Sequence, residues 1–402
     1  MNRALTYLLA ACLLWSCGDE DADTQAQPQD AARADSDQDG GLALDSATDA
    51  APAGAGFIIE TLIDQRQVPI SGASANVNFE APDDVVSLTV IVHGDPDGWF
   101  GIESWTDGDG TQLAAPGWSE AAGNDRGCMT CRNFTGLLQN GVSTTVAPNR
   151  DTGAVHPGTH RLALSGWVDG FAADSVTVTV IAKRGPAAPE TGVIDLNFYF
   201  TGAQGWTSDS VQGDPYFAAC VQRVNELYGR AGITIGDMTY QDLDPTLSTV
   251  SIAEGEETLG ALMANSIASQ TDGLNIFFVD QILTGEPDFP AIPGVAASVP
   301  NPPYLPGTVA SGVAIGTRGP LEVPPGQRFL DPPAIGQTMA HELGHALGLF
   351  HTSEYDEVSH DHYDDTPEND NRYLMHADGT GAIISDEQGR ALRANPAIRH
   401  PE

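Results

Sequence analysis

The chain has 402 residues, 41% of them hydrophobic, which is enough for two or three domains with substantial cores. Lys and Arg number 17 against 55 Asp and Glu, a formal net charge of -38. Phosphate binding needs clustered basic side chains, so composition excludes a nucleic-acid partner and gives no reason for binding anionic lipid headgroups.

Residues 1–16 carry one basic residue, Arg3, and then an apolar run from Ala4 to Trp15. The run is too short to span a bilayer and reads as an export signal. Its end, Leu14-Trp15-Ser16-Cys17, resembles the lipobox of bacterial lipoproteins. That resemblance implies acylation of Cys17, an anchor in the cell envelope, and membrane contact through the lipid only. Trp15 stands where the motif usually has a small residue, so plain secretion is the other reading. Residues 17–56 are rich in Asp, Ala, Gln and Ser with few aromatics, and are expected to form a disordered acidic tether.

Across residues 57–184 the pattern becomes short alternating runs, such as "VVSLTVIVHG", "HRLALSGWV" and "DSVTVTVIAKR", separated by Gly, Asp, Pro and Asn clusters. Period two with frequent turns predicts an antiparallel β-sandwich. Asp95, Asp97, Asp107 and Asp109 lie in Asp-Gly turns, which either hold Ca2+ or serve only as turns. "CMTC" (Cys128 and Cys131) predicts a local disulfide in an oxidising compartment, and Cys220 a buried free thiol. The Pro/Gly/Ala stretch 185–192 reads as a linker.

Residues 193–402 are predicted to form an α+β domain, a mixed sheet plus one strong helix. Strand candidates are "VIDLNFYF", "GITIGDMTY", "GLNIFFVD", "GVAAS" and "GVAIGT". Helix candidates cover about Asp214 to Arg230, about Glu256 to Ser269, and a segment opening at Asp331-Pro332.

In the last of these, Ile335, Met339, Leu343 and Leu347 recur every four residues and form a core stripe. His341 and His345, four apart, project from the same face one turn apart and can reach one metal ion. Gly348 breaks the helix and permits a reversal that returns His351 as a third ligand. Three neutral imidazoles leave a zinc ion one open position, the catalytic arrangement. Zn2+ there would lower the pKa of a water towards about 7, with Glu342 placed to take its proton during attack on a carbonyl.

HExxHxxGxxH, here His341 to His351, resembles the signature of the metzincin zinc endopeptidases, and "RYLMHAD" supplies a methionine-turn candidate at Met375. The segment between, with its "DDTP", is similar to the pappalysin-like branch, although it carries none of the cysteines usual there. Ala377 stands where many metzincins have a tyrosine, and Tyr373 is not put forward as a ligand. The resemblance implies a zinc-dependent endopeptidase acting on protein or peptide substrates, which pair with an edge strand, with "GVAAS" as the candidate. His360, Asp361, His362, Asp364 and Asp365 form either a second cation site or a solvated loop, and His376 could face substrate. A monomer is expected. The competing reading is a surface binding lipoprotein whose metal domain is degenerate; the intact Glu342 argues against it, since a metal scaffold needs no base beside its ligand.

Overall fold

A computed structural model of the chain describes residues 56–71, 74–114, 139–149, 154–253, 258–269, 271–287, 290–318, 332–355 and 360–400. Cys17, Cys128, Cys131 and Asp331 lie outside the described residues, as do the signal and tether segments.

Ten strands come first: β1 (Ile58–Pro69), β2 (Ala75–Ala81), β3 (Val85–His93), β4 (Trp99–Thr106), β5 (Gln112–Ala114), β6 (Gln139–Asn140), β7 (Val142–Ala147), β8 (Gly158–Val168), β9 (Phe171–Ala172) and β10 (Ser175–Arg184). They form two antiparallel sheets, ordered β1-β10-β3-β7 and β2-β8-β4-β5, with β6 on β4 and β9 on β8. Strict alternation drives this pairing. In β2, Ala75, Val77, Phe79 and Ala81 are buried while Asn76, Asn78 and Glu80 are exposed. The inner faces share one core that includes Val90, Val180, Ile102, Trp105 and Leu164. Strand β3 is buried on both faces, because the outer face of its sheet packs on the second half of the chain. There Ile91, Val142 and Ile181 meet Ala310, Tyr304 and Leu305.

The second half holds β11 (Gly192–Phe200), α1 (Pro215–Gly229), β12 (Ile233–Asp242), β13 (Thr249–Ser251), α2 (Leu259–Met263), β14 (Leu274–Val279), β15 (Gln281–Leu283), β16 (Ala291–Ile292), β17 (Gly294–Ala296), β18 (Val313–Gly316), α3 (Pro332–Ala346), α4 (Asp386–Ala394) and β19 (Ile398–Arg399). The main sheet runs β12-β11-β14-β18-β17, parallel except for β17 at its edge and the short β19 pairing with β11. This is a mixed α and β architecture with several sheets and few helices. Parity along the strands sorts the two faces. Leu196, Phe198, Phe200, Ile276, Phe278 and Ile315 pack against α1 and α3, whereas Tyr199, Phe277 and Ala314 pack against Leu262 and Met263 of α2 and against Ile282. Each such fully buried side chain contributes roughly 1.5–3 kcal/mol.

Helix α1 starts where Asp214 caps Tyr216 N at 2.8 Å and Pro215 occupies the first turn. It is fastened to α3 by Tyr228 OH donating to Ala340 O at 3.0 Å. The helix expected over about Glu256 to Ser269 is shorter in the structure. Asn265 donates its side-chain amide to Ala261 O and Leu262 O, and the chain tightens into a 3-10 turn at Ala264–Ala268. Cys220 is buried and in no disulfide among the described residues, its Sγ–H donating to Tyr216 O at 3.3 Å.

Candidate metal centre

Helix α3 buries Ile335, Met339 and Leu343 against the main sheet, and this fixes which face carries the imidazoles. His341 and His345 stand one turn apart on it. After Ala346 the chain turns at Gly348, where φ is +106°, a conformation that strains any side chain bearing a Cβ. Leu349 N closes the turn on Gly344 O at 2.9 Å, and His351 comes back beside the other two. The three Nε2 atoms lie 3.2 Å (His341–His351), 3.2 Å (His345–His341) and 3.1 Å (His345–His351) apart.

The other ring nitrogen fixes each tautomer. His341 Nδ1 donates to Leu374 O at 2.8 Å, and His345 Nδ1 donates to Leu349 O at 2.7 Å. Since a carbonyl only accepts, both rings carry their proton on Nδ1. His351 Nδ1 donates to the Glu354 carboxylate at 2.9 Å, with both side chains 6% exposed. Burial first, then the neighbouring His351, pushes His341 down to about 3, and burial holds His345 well below the ordinary imidazole range. With Nδ1 of each ring turned outward to an acceptor, the three Nε2 atoms converge on one point. Their spacing fits the edges of a tetrahedron with Zn–N bonds of about 2.0–2.1 Å, which are about 3.3 Å long. The donor set therefore fits a zinc ion, with an N-only, neutral ligand shell and each ligand oriented from behind.

Glu342 is buried beside this triad at 7% exposure. Burial pushes its carboxyl up to about 8, and a hydrogen bond from the Ala296 backbone N–H of β17 works in the opposite direction. Met375 is fully buried beneath α3 and packs against Gly344, where an added Cβ would push against its Sδ. Thr352 N donates to Met375 O at 2.8 Å, which links this floor to the His351 segment.

Sequence reasoning missed Glu354, although a carboxylate three residues after a candidate ligand was a usable signal. Tyr373 and His376, neither put forward as a ligand, have partners of their own. Tyr373 OH donates to Asp365 O at 3.1 Å, and His376 Nδ1 lies 3.3 Å from Asp378. The His360 to Asp365 segment does not gather into a cation site among the described residues. It is solvated only in part: Asp364 is exposed, but His362 is buried and its Nε2 donates to Asn149 O at 2.7 Å, while His360 Nδ1 pairs with Ser353 Oγ. The four turn aspartates likewise form no single Ca2+ site. Asp95 and Asp97 sit at one end of β4 and Asp107 and Asp109 at the other, about 25 Å apart along eight strand residues. Asp107 accepts from Thr111 N at 2.8 Å and lies 2.7 Å from His156 Nδ1, and with Asp109 and His156 it makes a group of ligand atoms within 4.8 Å of one another.

No family profile matches the sequence, and no curated protein sequence matches it. Among solved structures, archaemetzincin from Methanopyrus kandleri superposes on 52% of this chain and 91% of its own, at 13% identity and a TM-score of 0.28. Metalloproteinase-II from Bacteroides fragilis covers 54% of this chain and 62% of its own, at 13% identity and a TM-score of 0.31. A chaperone–substrate complex covers 48% and 28%, at 14% identity and a TM-score of 0.25. Superpositions this loose assign no function, which rests on the side chains of the centre.

Proposed function

We propose that this chain is a zinc-dependent endopeptidase of metzincin type, acting outside the cytoplasm. The observation that carries the reading is the convergence of three Nε2 atoms, from His341, His345 and His351, beside a buried carboxyl, Glu342. Bound there, zinc supplies Lewis acidity, polarising a carbonyl and acidifying a water. The protein's own part is positional. Leu374 O, Leu349 O and Glu354 hold the three rings in their binding tautomer, and the buried setting excludes competing solvent. Glu342 is no ligand. Its carboxyl, poised by burial, takes the proton of the attacking water and returns it to the leaving amine.

Strand β17 supports the peptide part of the reading. It ends the main sheet and pairs with β18 on one side, and its Ala296 N–H touches Glu342. An extended substrate added along its other edge would lie with its backbone over the carboxyl and the triad. Cys17 would carry a lipid anchor; mass spectrometry of the mature N-terminus decides this, and an unacylated Cys17 would leave plain secretion.

The test is a digest of unfolded protein by the full chain as purified, after treatment with a chelator, and after restoring zinc. Cleavage that disappears with chelation and returns with zinc is expected. Zinc uptake without cleavage would favour the surface-binding alternative.

A further inference from the structure

The turn that returns His351 to the other imidazoles is held only in part by its own hydrogen bonds. A helix leaves its last four carbonyls without partners in the helix. The turn itself satisfies Gly344 O and His345 O, through Leu349 N and Gly348 N, whereas the next three carbonyls are taken by groups distant in sequence. Ala346 O accepts from Asn301 N at 2.9 Å, Leu347 O from Asn395 Nδ2 at 2.9 Å, and Gly348 O from Asn149 Nδ2 at 3.0 Å. Asn149 is the outlier, because it belongs to the N-terminal sandwich, just after β7.

Asn149 is 5% exposed and grips the other side of His351 as well. Its backbone O accepts from His362 Nε2 at 2.7 Å, and its Oδ1 accepts from Tyr363 OH at 3.3 Å. One residue thus ties down the chain three positions before His351 and eleven to twelve positions after it. The segment of Asn395 is also held from the sandwich: Lys183 Nζ donates to Asn395 O at 3.0 Å, and Ser87 Oγ donates to Ala394 O at 2.5 Å. Both side-chain amides on the turn are therefore placed by the sandwich, one directly and one through the end of α4.

We propose that Asn149 is a positioning residue for His351, so that the N-terminal sandwich is a working part of the metal centre. The inference rests on the zinc reading above. It predicts that sandwich and metal affinity are coupled directly through this side chain and not through general stability. Asn149→Asp is the sharp variant. It is isosteric, but it replaces the donor facing Gly348 O with an oxygen that repels it, while still accepting from Tyr363.

Zinc affinity of the full chain is measured by competition with a chromophoric chelator, alongside thermal unfolding of the metal-free protein. Asn149→Asp is expected to weaken zinc by about 10- to 100-fold, the usual scale for losing a group that supports a ligand from behind. Should it fail to fold, Asn149→Ala, which only deletes the amide, carries the same expectation. Leu164→Ala, in the sandwich core away from the turn, is the control: it should lower the melting temperature and leave zinc affinity within about twofold. The inference is overturned if Asn149→Asp folds and binds zinc like the wild type, or if Leu164→Ala weakens zinc equally. If the wild type takes up no zinc, the zinc reading itself fails and this inference falls with it.

Discussion

Lys183 is fully buried at the sandwich junction, and replacing it with Met sets two large effects against each other. Burial pushes its ammonium down from 10.5 to about 7, which alone amounts to about 5 kcal/mol in favour of the neutral amine. Opposing it, Nζ donates to Arg393 O at 2.6 Å, Asn395 O at 3.0 Å and Ile398 O at 2.5 Å. Only the charged form has three donors, and hydrogen bonds from a charged group contribute roughly 1.5–3 kcal/mol each. The cage therefore offsets the burial, and Lys183 stays protonated well above 7. His400 nearby, pushed down to about 4 by burial and by Lys183, adds no competing positive charge. Lys183→Met keeps the stem but leaves three carbonyls without that donor, and should cost about 2–4 kcal/mol at neutral pH. Urea unfolding of both chains from about pH 6 to about pH 10 measures it. If burial won, the unfolded chain would hold the proton and the folded chain would not between about 7 and 10.5, so wild-type stability would climb with pH across that window. The expected result is a constant gap between the two profiles. A Met variant as stable as wild type, or a wild type that gains stability over the variant as pH rises, would refute the reasoning.

Glu354→Gln should weaken zinc about 10- to 100-fold, because the Nδ1 proton of His351 loses a charged acceptor; the same chelator competition reads it, and unchanged affinity would remove Glu354 from the centre. In the metal-free protein, Glu342 should store strain that depends on pH. Its folded value of about 8 lies above the unfolded 4.5, so its stability contribution is complete below about 4.5 and is lost as pH rises to about 8. Chelated Glu342→Gln should accordingly match wild type near pH 4.5 and exceed it by several kcal/mol above pH 8, measured by urea unfolding; a gap that does not grow with pH would contradict this.

The centre was legible in the sequence where its geometry is local. The i, i+4 pair His341 and His345 follows from helix geometry, and the breaker Gly348 signalled the reversal that returns His351. The apolar stripe that orients α3 and the capped start of α1 at Asp214 were legible as well. What stayed hidden depends on contacts far apart along the chain. Asn149 lies 199 positions from the carbonyl it holds, and nothing in its neighbourhood marks it. Lys183 alternates with Val180 and Ala182 as a solvent-facing charge would; its outer face is covered only because α4 and β19 dock there. The His360 to Asp365 run looked like polar loop for the same reason. Asn149 of the sandwich, the core of the second half around Tyr363, and α4 through Glu387 and Gln388 cover it, and its own composition shows none of this.

The zinc-peptidase reading is tested most directly by comparing Glu342→Gln with His351→Ala for zinc content and peptide hydrolysis in parallel. Glu342→Gln removes a base but no ligand, so it should retain about one zinc per chain while hydrolysis falls by at least about 100-fold. His351→Ala removes one of three ligands and should lose both zinc and activity. A Glu342→Gln protein that cleaves peptides at the wild-type rate, or a His351→Ala protein that keeps its zinc, would contradict the reading.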